Sequence, residues 1–233
     1  MNTIITGASK GIGRALAEKF ASEGHNLAIC ARNEENLKSL KKELETKYSG
    51  IQVLIKSTDI SKRKDVLAFA EAALKMFGSI DVLINNGGIF LSGSTCEENE
   101  GTLVKLIETN LYSAYHLTRA IVPFMTSSAK PHIFNMCSIA SQTAYPNGGS
   151  YSISKFALLG FTKVLRQELL DKGIRVTAVL PGATWSDSWA GVDLPQERLM
   201  DAADIADTIW AAYSLKKSAV VEEVIIRPQL GDL

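Results

Sequence analysis

The sequence predicts an α/β protein built as one doubly wound, mostly parallel sheet of seven strands with helices on both faces. Three observations predict it. Apolar runs of strand length alternate with longer segments of helical period. The strand runs are β-branched and nearly continuous, as strands buried on both faces are. A glycine-rich turn, Thr6-Gly7-Ala8-Ser9-Lys10-Gly11-Ile12-Gly13, joins the first strand to the first helix. With 233 residues, no internal repeat and no linker, the chain is expected to form a single domain over 1–233.

Residues 3–6 read as a short strand, and 12–23 carry apolar residues at helical spacing. The second strand is 26–30, and 34–48 is a charged amphipathic helix with Leu37, Leu40 and Leu44 inward. A third strand covers 51–56, a helix about 62–77, and a fourth strand 81–84. A long helix runs over about 101–125, which Pro123 should bend or end. Residues 132–136 form the fifth strand, 151–172 a long helix and 174–180 the sixth strand. A helix near 202–215 and a last strand at 223–227 follow. The irregular segment at about 182–200 is long for a compact domain and suggests a substrate loop.

Formal net charge is zero, so no field draws nucleic acid or an anionic membrane, and neither partner is expected. Cys30, Cys96 and Cys137 form no C-x-x-C pair. Cys30 and Cys137 end apolar runs and are expected as buried free thiols; a disulfide or a zinc site is not expected. No apolar run approaches the ~18 residues of a membrane span. The first strand begins almost at Met1, leaving no room for a leader, so a cytoplasmic location is expected.

Gly7, Gly11 and Gly13 permit a tight turn, close approach of backbone to a pyrophosphate and close packing of helix on strand. The helix start adds free N–H groups and the positive end of its dipole. The spacing is G-x-x-x-G-x-G, not the general G-x-G-x-x-G. An acid at the end of the second strand would favour NAD. Here that segment reads Cys30-Ala31-Arg32-Asn33. Arg32, helped by Lys10, would pair with a 2′-phosphate, so NADP (NADPH) is expected over NAD. The alternative is a solvated arginine followed by a helix-capping Asn33.

Tyr151 and Lys155 lie four apart and share a helix face. An ammonium there is expected to lower the phenol pKa from about 10 and make it a usable proton donor or acceptor. Ser138 offers a hydroxyl for a carbonyl or alcohol oxygen. With a dinucleotide in the glycine turn, these groups suit hydride transfer.

In this order and at these distances the residues resemble the short-chain dehydrogenase/reductase family over essentially the whole chain. The matching motifs are the glycine turn, Asp59, Asn85-Asn86-Gly87-Gly88, Asn110, Ser138, Tyr151-x-x-x-Lys155 and Pro181-Gly182. The resemblance implies a Rossmann-like fold and an NADP(H)-dependent oxidoreductase interconverting a carbonyl and an alcohol, of ketone or 3-oxoacyl reductase type. Its small-molecule substrate is such a carbonyl/alcohol pair. It implies a catalytic tetrad of Asn110, Ser138, Tyr151 and Lys155. Tyr151 would exchange a proton with the substrate oxygen, and Ser138 would orient that oxygen. Lys155 would hold the nicotinamide ribose and lower the Tyr151 pKa. Asn110 would hold a water linking Lys155 to solvent. The cofactor would lie along Thr6, Gly7, Ser9, Lys10, Gly11, Ile12, Gly13 and Arg32, with Asp59 and Ile60 at the adenine. Asn85 and Gly87 would support the adenosine side, and Pro181, Gly182, Thr184 and Ser186 would lie towards the carboxamide.

Two positions depart from the family pattern. Gly87 stands where alanine is usual, which frees backbone and loosens the loop. Thr184 replaces an aliphatic residue, and Ser186 keeps the hydroxyl of a usual threonine. His25, His116 and His132 are scattered and read as structural or surface residues. Trp185, Trp189 and Tyr145 are placed either to touch substrate or, for the tryptophans, to pack the loop or an oligomer contact. Phe156, Leu159, Phe161 and Leu165 surround much of the helix after Tyr151, and the resemblance implies a homodimer or homotetramer. The competing function is a catalytically silent dinucleotide-binding regulatory protein on the same fold, which would typically lack the serine or the tyrosine.

Overall fold

A computed structural model describes residues 1–125, 128–185, 195 and 198–231. Its strands are β1 (Asn2–Thr6), β2 (Asn26–Ala31), β3 (Val53–Ser57), β4 (Val82–Asn85), β5 (His132–Met136), β6 (Arg175–Pro181) and β7 (Glu223–Ile226). They form one sheet in the order β3-β2-β1-β4-β5-β6-β7. Every neighbouring pair is parallel, with Ile4 facing Ala28 on one side and Leu83 on the other. The helices are α1 (Gly11–Ser22), α2 (Glu34–Lys47), α3 (Arg63–Phe77), α4 (Thr102–Ile107), α5 (Ser113–Ile121), α6 (Gly149–Leu169) and α7 (Ala202–Ser214).

Alternate strand residues feed two cores, because successive side chains point to opposite faces. Ile5, Ile29, Ile84 and Phe134 pack beneath Leu16 and Phe20 of α1, Leu37, Leu40 and Leu44 of α2, and Ile205 and Ile209 of α7. Ile4, Ala28, Leu83 and Ile133 pack against Val66 and Phe69 of α3, Leu117 and Ile121 of α5, and Leu165 and Leu169 of α6. Each fully buried Leu, Ile or Phe contributes roughly 1.5–3 kcal/mol. This two-sided burial is why the strands read as continuous apolar runs.

Local signals fix the helix starts. Asn33 accepts a hydrogen bond from the Asn36 N–H at 2.9 Å, with Glu34 and Glu35 in the first turn of α2. Asp201 caps α7 in the same way, accepting from the Ala203 N–H at 2.9 Å. The expected long helix at 101–125 is one path in several pieces. Between α4 and α5 the turn widens to a π-helix over Glu108–Tyr112, and Pro123 sits in a closing 3-10 turn, Val122–Phe124. Proline lacks the N–H that would continue the helix. Among the described residues no helix is long and apolar enough to cross a membrane.

The strand order reverses between β1 and β4: the chain leaves β1 towards β2 and leaves β4 towards β5. The loops beyond these two strands therefore diverge and leave a crevice, where open α/β sheets place their ligands.

Candidate active site

Two loops meet in that crevice. The Thr6 hydroxyl accepts hydrogen bonds from the N–H groups of Asn86, at 3.1 Å, and Gly87, at 2.8 Å. The Asn86 carboxamide donates back to the Thr6 carbonyl at 2.9 Å. The contact is so close that a Cβ on Gly13 would lie 2.1 Å from the Gly7 carbonyl oxygen. A Cβ on Gly7, whose φ is +68°, would lie 2.8 Å from the Gly87 Cα. Glycine is therefore required by packing as well as by dihedral angle. At Gly87 an alanine methyl would require the flexible Ile60 side chain to shift. Thr6 pins the Gly87 N–H, and the Ile60 Cδ1 stands 2.6 Å from where that methyl would be.

Beyond this staple α1 begins with Lys10 at its N-cap, no side-chain cap and no acid in its first turn. Its first N–H groups and dipole thus suit an anion, so the residues present fit the pyrophosphate of a dinucleotide. Ser9 and Lys10 lie in the turn, and Arg32 is exposed just past β2. Asp59 follows β3, its carboxylate held below the usual range first by the Ser61 hydroxyl, which donates to it at 2.7 Å. Past β6, the Gly182 N–H donates to the Ile226 carbonyl at 2.8 Å, and the Thr184 hydroxyl to the Gly182 carbonyl at 3.0 Å. Thr184 bridges Met200, and the Trp185 N–H donates to the Met200 carbonyl at 2.9 Å, so the two ends of the expected substrate loop are joined. Ser186 and Trp189 lie outside the described residues.

The other wall carries the tetrad. Ser138, 8% exposed, starts a short turn after β5. Its hydroxyl oxygen accepts from the Ala140 N–H at 3.1 Å, which leaves its proton to be donated elsewhere. Tyr151 stands in the first turn of α6, where its phenol neighbours Ser138. Lys155, one turn on, is buried and donates from Nζ to the Met136 carbonyl at 2.8 Å. Asn110 sits in the π turn between α4 and α5, a feature that often marks functional positions. Its carboxamide donates to the Ile89 carbonyl at 3.0 Å and to the Ser154 hydroxyl at 2.9 Å, and accepts from the Ile89 N–H at 2.8 Å. Ser154 in turn donates to the Tyr151 carbonyl at 2.7 Å.

Asn85 also braces the site from below. Its buried carboxamide donates to the Thr118 hydroxyl at 3.0 Å and to the Asn135 carboxamide oxygen at 2.8 Å, tying β4 to α5 and β5 beneath the site.

The expected lowering of the Tyr151 pKa is not what the geometry gives. Burial pushes it above the usual phenol value, and the neighbouring Ser138 hydroxyl only partly opposes this. The reason is the direction of Lys155: its ammonium turns to Met136 and stands 5.8 Å from the centre of the Tyr151 ring. Burial also lowers Lys155 itself, to about 8.

Sequence reasoning missed three neighbours. Phe90 meets the Tyr151 ring edge-on, with centroids 4.8 Å apart. Ser154 links Asn110 to α6, and Glu98 reaches the start of the same helix. The only prior signal for Phe90 is an aromatic two residues beyond Asn85-Asn86-Gly87-Gly88; Glu98 lies in a loop with no period to read. Tyr145 stands near Tyr151, and its phenol is raised first by burial and then by that neighbour. Among the described residues no group of three or more His, Cys, Asp or Glu is placed to hold a metal ion.

Known proteins match this arrangement. A family model described as short chain dehydrogenase matches residues 1–196. The chain is 34% identical over 212 residues to a diacetyl reductase ((S)-acetoin forming) of Staphylococcus epidermidis, covering 91% of this chain and 82% of that one. It is 32% identical over 238 residues to a sepiapterin reductase of Chlorobaculum tepidum, covering 99% and 97%. Among solved structures, an alcohol dehydrogenase of Thermococcus sibiricus complexed with 5-hydroxy-NADP superposes with a TM-score of 0.91 at 28% identity, covering 100% of this chain and 98% of that one.

Proposed function

The chain belongs to the short-chain dehydrogenase family and is an oxidoreductase acting on the CH–OH/C=O pair, and on that footing we propose that it is an NADPH-dependent reductase of small or planar ketones. The observation that carries this reading is the side-by-side placing of Ser138 and Tyr151 at the crevice where the strand order reverses.

A nicotinamide cofactor, when bound, supplies the hydride. The chain's own residues manage charge and protons. Burial keeps the Tyr151 phenol protonated at neutral pH, so it enters as an acid and gives its proton to the carbonyl oxygen. Ser138, its lone pair engaged by Ala140, directs its own proton to the same oxygen and steadies the charge that grows there. Lys155 is largely ammonium below pH about 8, with one N–H on Met136 and two left for the nicotinamide ribose. Asn110 stands as the relay position that the family resemblance assigns. Gly7, Ser9, Gly11, Ile12 and Gly13 would hold the pyrophosphate, and Lys10 and Arg32 the 2′-phosphate. Asp59, Ile60, Asn85 and Gly87 would flank the adenosine, and Pro181, Gly182, Thr184 and Ser186 the carboxamide.

Phe90 and Tyr145 flank Tyr151 as aromatic walls, which suits a compact or planar carbonyl compound better than a free sugar. The relatives that reduce diacetyl and sepiapterin fit that description. Self-association is part of the proposal: Ile153, Phe156 and Val164 of α6 are exposed, as are Leu103 and Val104 of α4, which packs beside it. Leu159 and Leu165, by contrast, are buried by the chain itself. Light scattering that returned a monomer at micromolar concentration would remove this part.

The decisive test is cofactor oxidation over a panel of diacetyl, simple ketones, a 3-oxoacyl thioester and sepiapterin, with NADPH and NADH. Turnover is expected, faster with NADPH. Cofactor binding without turnover anywhere in the panel would instead make the protein a silent dinucleotide binder.

A further inference from the structure

The segment that follows β4 does more than pass over the crevice. Helix α6 has no side-chain cap of its own at Gly148. The missing partner comes from 52 residues upstream. One Glu98 carboxylate oxygen accepts from the Ser150 N–H at 2.9 Å, and the other accepts from the Ser150 hydroxyl. A carboxylate at a helix N-terminus meets both unpaired N–H groups and the positive end of the dipole.

The surroundings are shaped to admit it. A Cβ on Gly149 would fall 2.0 Å from that carboxylate and 2.3 Å from the Gly93 carbonyl. Asn147, at φ 59°, turns its carbonyl to accept from the Gly93 N–H at 3.0 Å and the Ser92 hydroxyl at 3.3 Å. The same segment carries Phe90 on the Tyr151 ring and Ile89 on Asn110. Ser150, the residue Glu98 holds, is the immediate neighbour of Tyr151 and only 2% exposed.

We propose that Glu98 is a positioning residue: it clamps the first turn of α6 and so fixes where the Tyr151 hydroxyl stands. The proposal rests on the reading of Tyr151 as proton donor. It assigns Glu98 no contact with substrate and no proton transfer. Losing a cap of this kind raises local opening roughly three- to thirtyfold, confined to the first turn.

The test compares native protein, Glu98→Ala, Glu98→Gln and Tyr151→Phe by amide hydrogen exchange, NADPH binding and steady-state kinetics. In Glu98→Ala, exchange across residues 147–155 should rise about tenfold while the β1–α1 turn keeps its protection. NADPH affinity should stay within about twofold, and kcat should fall about tenfold or more with little change in KM. Glu98→Gln keeps an acceptor for the Ser150 N–H and should recover most of kcat. Unchanged exchange at 147–155 overturns the proposal whether or not a substrate has been found. So does a loosened first turn with native kcat, and so does a uniform loss of protection, NADPH affinity and melting temperature. Equal turnover by native and Tyr151→Phe sinks the proton-donor reading beneath it, through a variant that leaves Glu98 in place.

Discussion

At the foot of the sheet, where the parallel strands begin, His25, His132 and Arg175 are buried around Tyr213; at its head, buried Ser138 and Lys155 and half-buried Tyr151 surround the crevice. Burial lowers His25 to about 4 and His132 well below its ordinary value. It raises Tyr213 to about 12. At the head it raises Tyr151 and lowers Lys155. The leading cause is the same at both ends. What differs is the use of the polar atoms. At the foot most are spent internally: His25 Nδ1 lies 2.7 Å from the Thr3 hydroxyl, His132 Nε2 2.7 Å from the Thr177 hydroxyl, and Arg175 donates to the Tyr213 carbonyl at 3.1 Å, while His132 Nδ1 is buried without a hydrogen-bond partner among the described residues. At the head, hydroxyl and ammonium protons remain to be given, beside the partly exposed rings of Phe90 and Tyr145. A displaced pKa therefore reports burial, and convergence on an open crevice reports chemistry.

Removing one hydroxyl at each end should break the symmetry most sharply. Tyr151→Phe should lower kcat by about 10³-fold, within the range for losing a general acid, and leave the melting temperature nearly unchanged. Tyr213→Phe removes a hydroxyl that donates to the Met1 sulfur at 3.0 Å and should leave turnover intact, at a cost of about 1 kcal/mol or less in stability. Urea titrations and kinetics on the same two variants read both effects. Loss of turnover in Tyr213→Phe would show that the foot is not merely structural.

Acid should attack the foot first. His25 takes its proton near pH 4 in the folded protein and near 6.5 when unfolded, so the unfolded state binds it more readily. Its contribution is complete above about pH 6.5 and is lost as pH falls towards 4, a loss of about 3 kcal/mol, with His132 acting in the same direction. Urea midpoints should fall over that window, and less steeply in His25→Gln. A native protein with a flat profile there would contradict the burial of these rings.

These contrasts also explain what the sequence makes legible. Strands buried on both faces announce themselves: β5 runs over His132–Met136 as its apolar pattern predicts. The glycine turn is legible because its chemistry is an absence of side chains, and Tyr151 and Lys155 because helix spacing puts them on one face. The π turn at Asn110 is not legible, since the apolar period continues through it. Nor is the direction of Lys155, because spacing sets which side chains are neighbours but not that the ammonium prefers the Met136 carbonyl. Glu98 could not be read at all, for its partner Ser150 is brought to it only by the fold.

The two readings of the segment after β2 can be separated at single-residue resolution, with the smallest effects. Asn33 caps α2 through the Asn36 N–H, as the structural alternative for this segment held. Arg32 beside it is exposed. Asn33→Ala should cost about 1 kcal/mol of stability and leave the NADPH-to-NADH ratio of kcat/KM as it was. Arg32→Glu should leave stability within about 0.5 kcal/mol but lower that ratio by roughly ten- to a hundredfold, because a charged hydrogen bond to the 2′-phosphate becomes a repulsion. Cofactor preference unmoved by Arg32→Glu would assign Arg32 to the solvent, leave Lys10 as the candidate for the 2′-phosphate, and confine the purpose of this segment to starting α2.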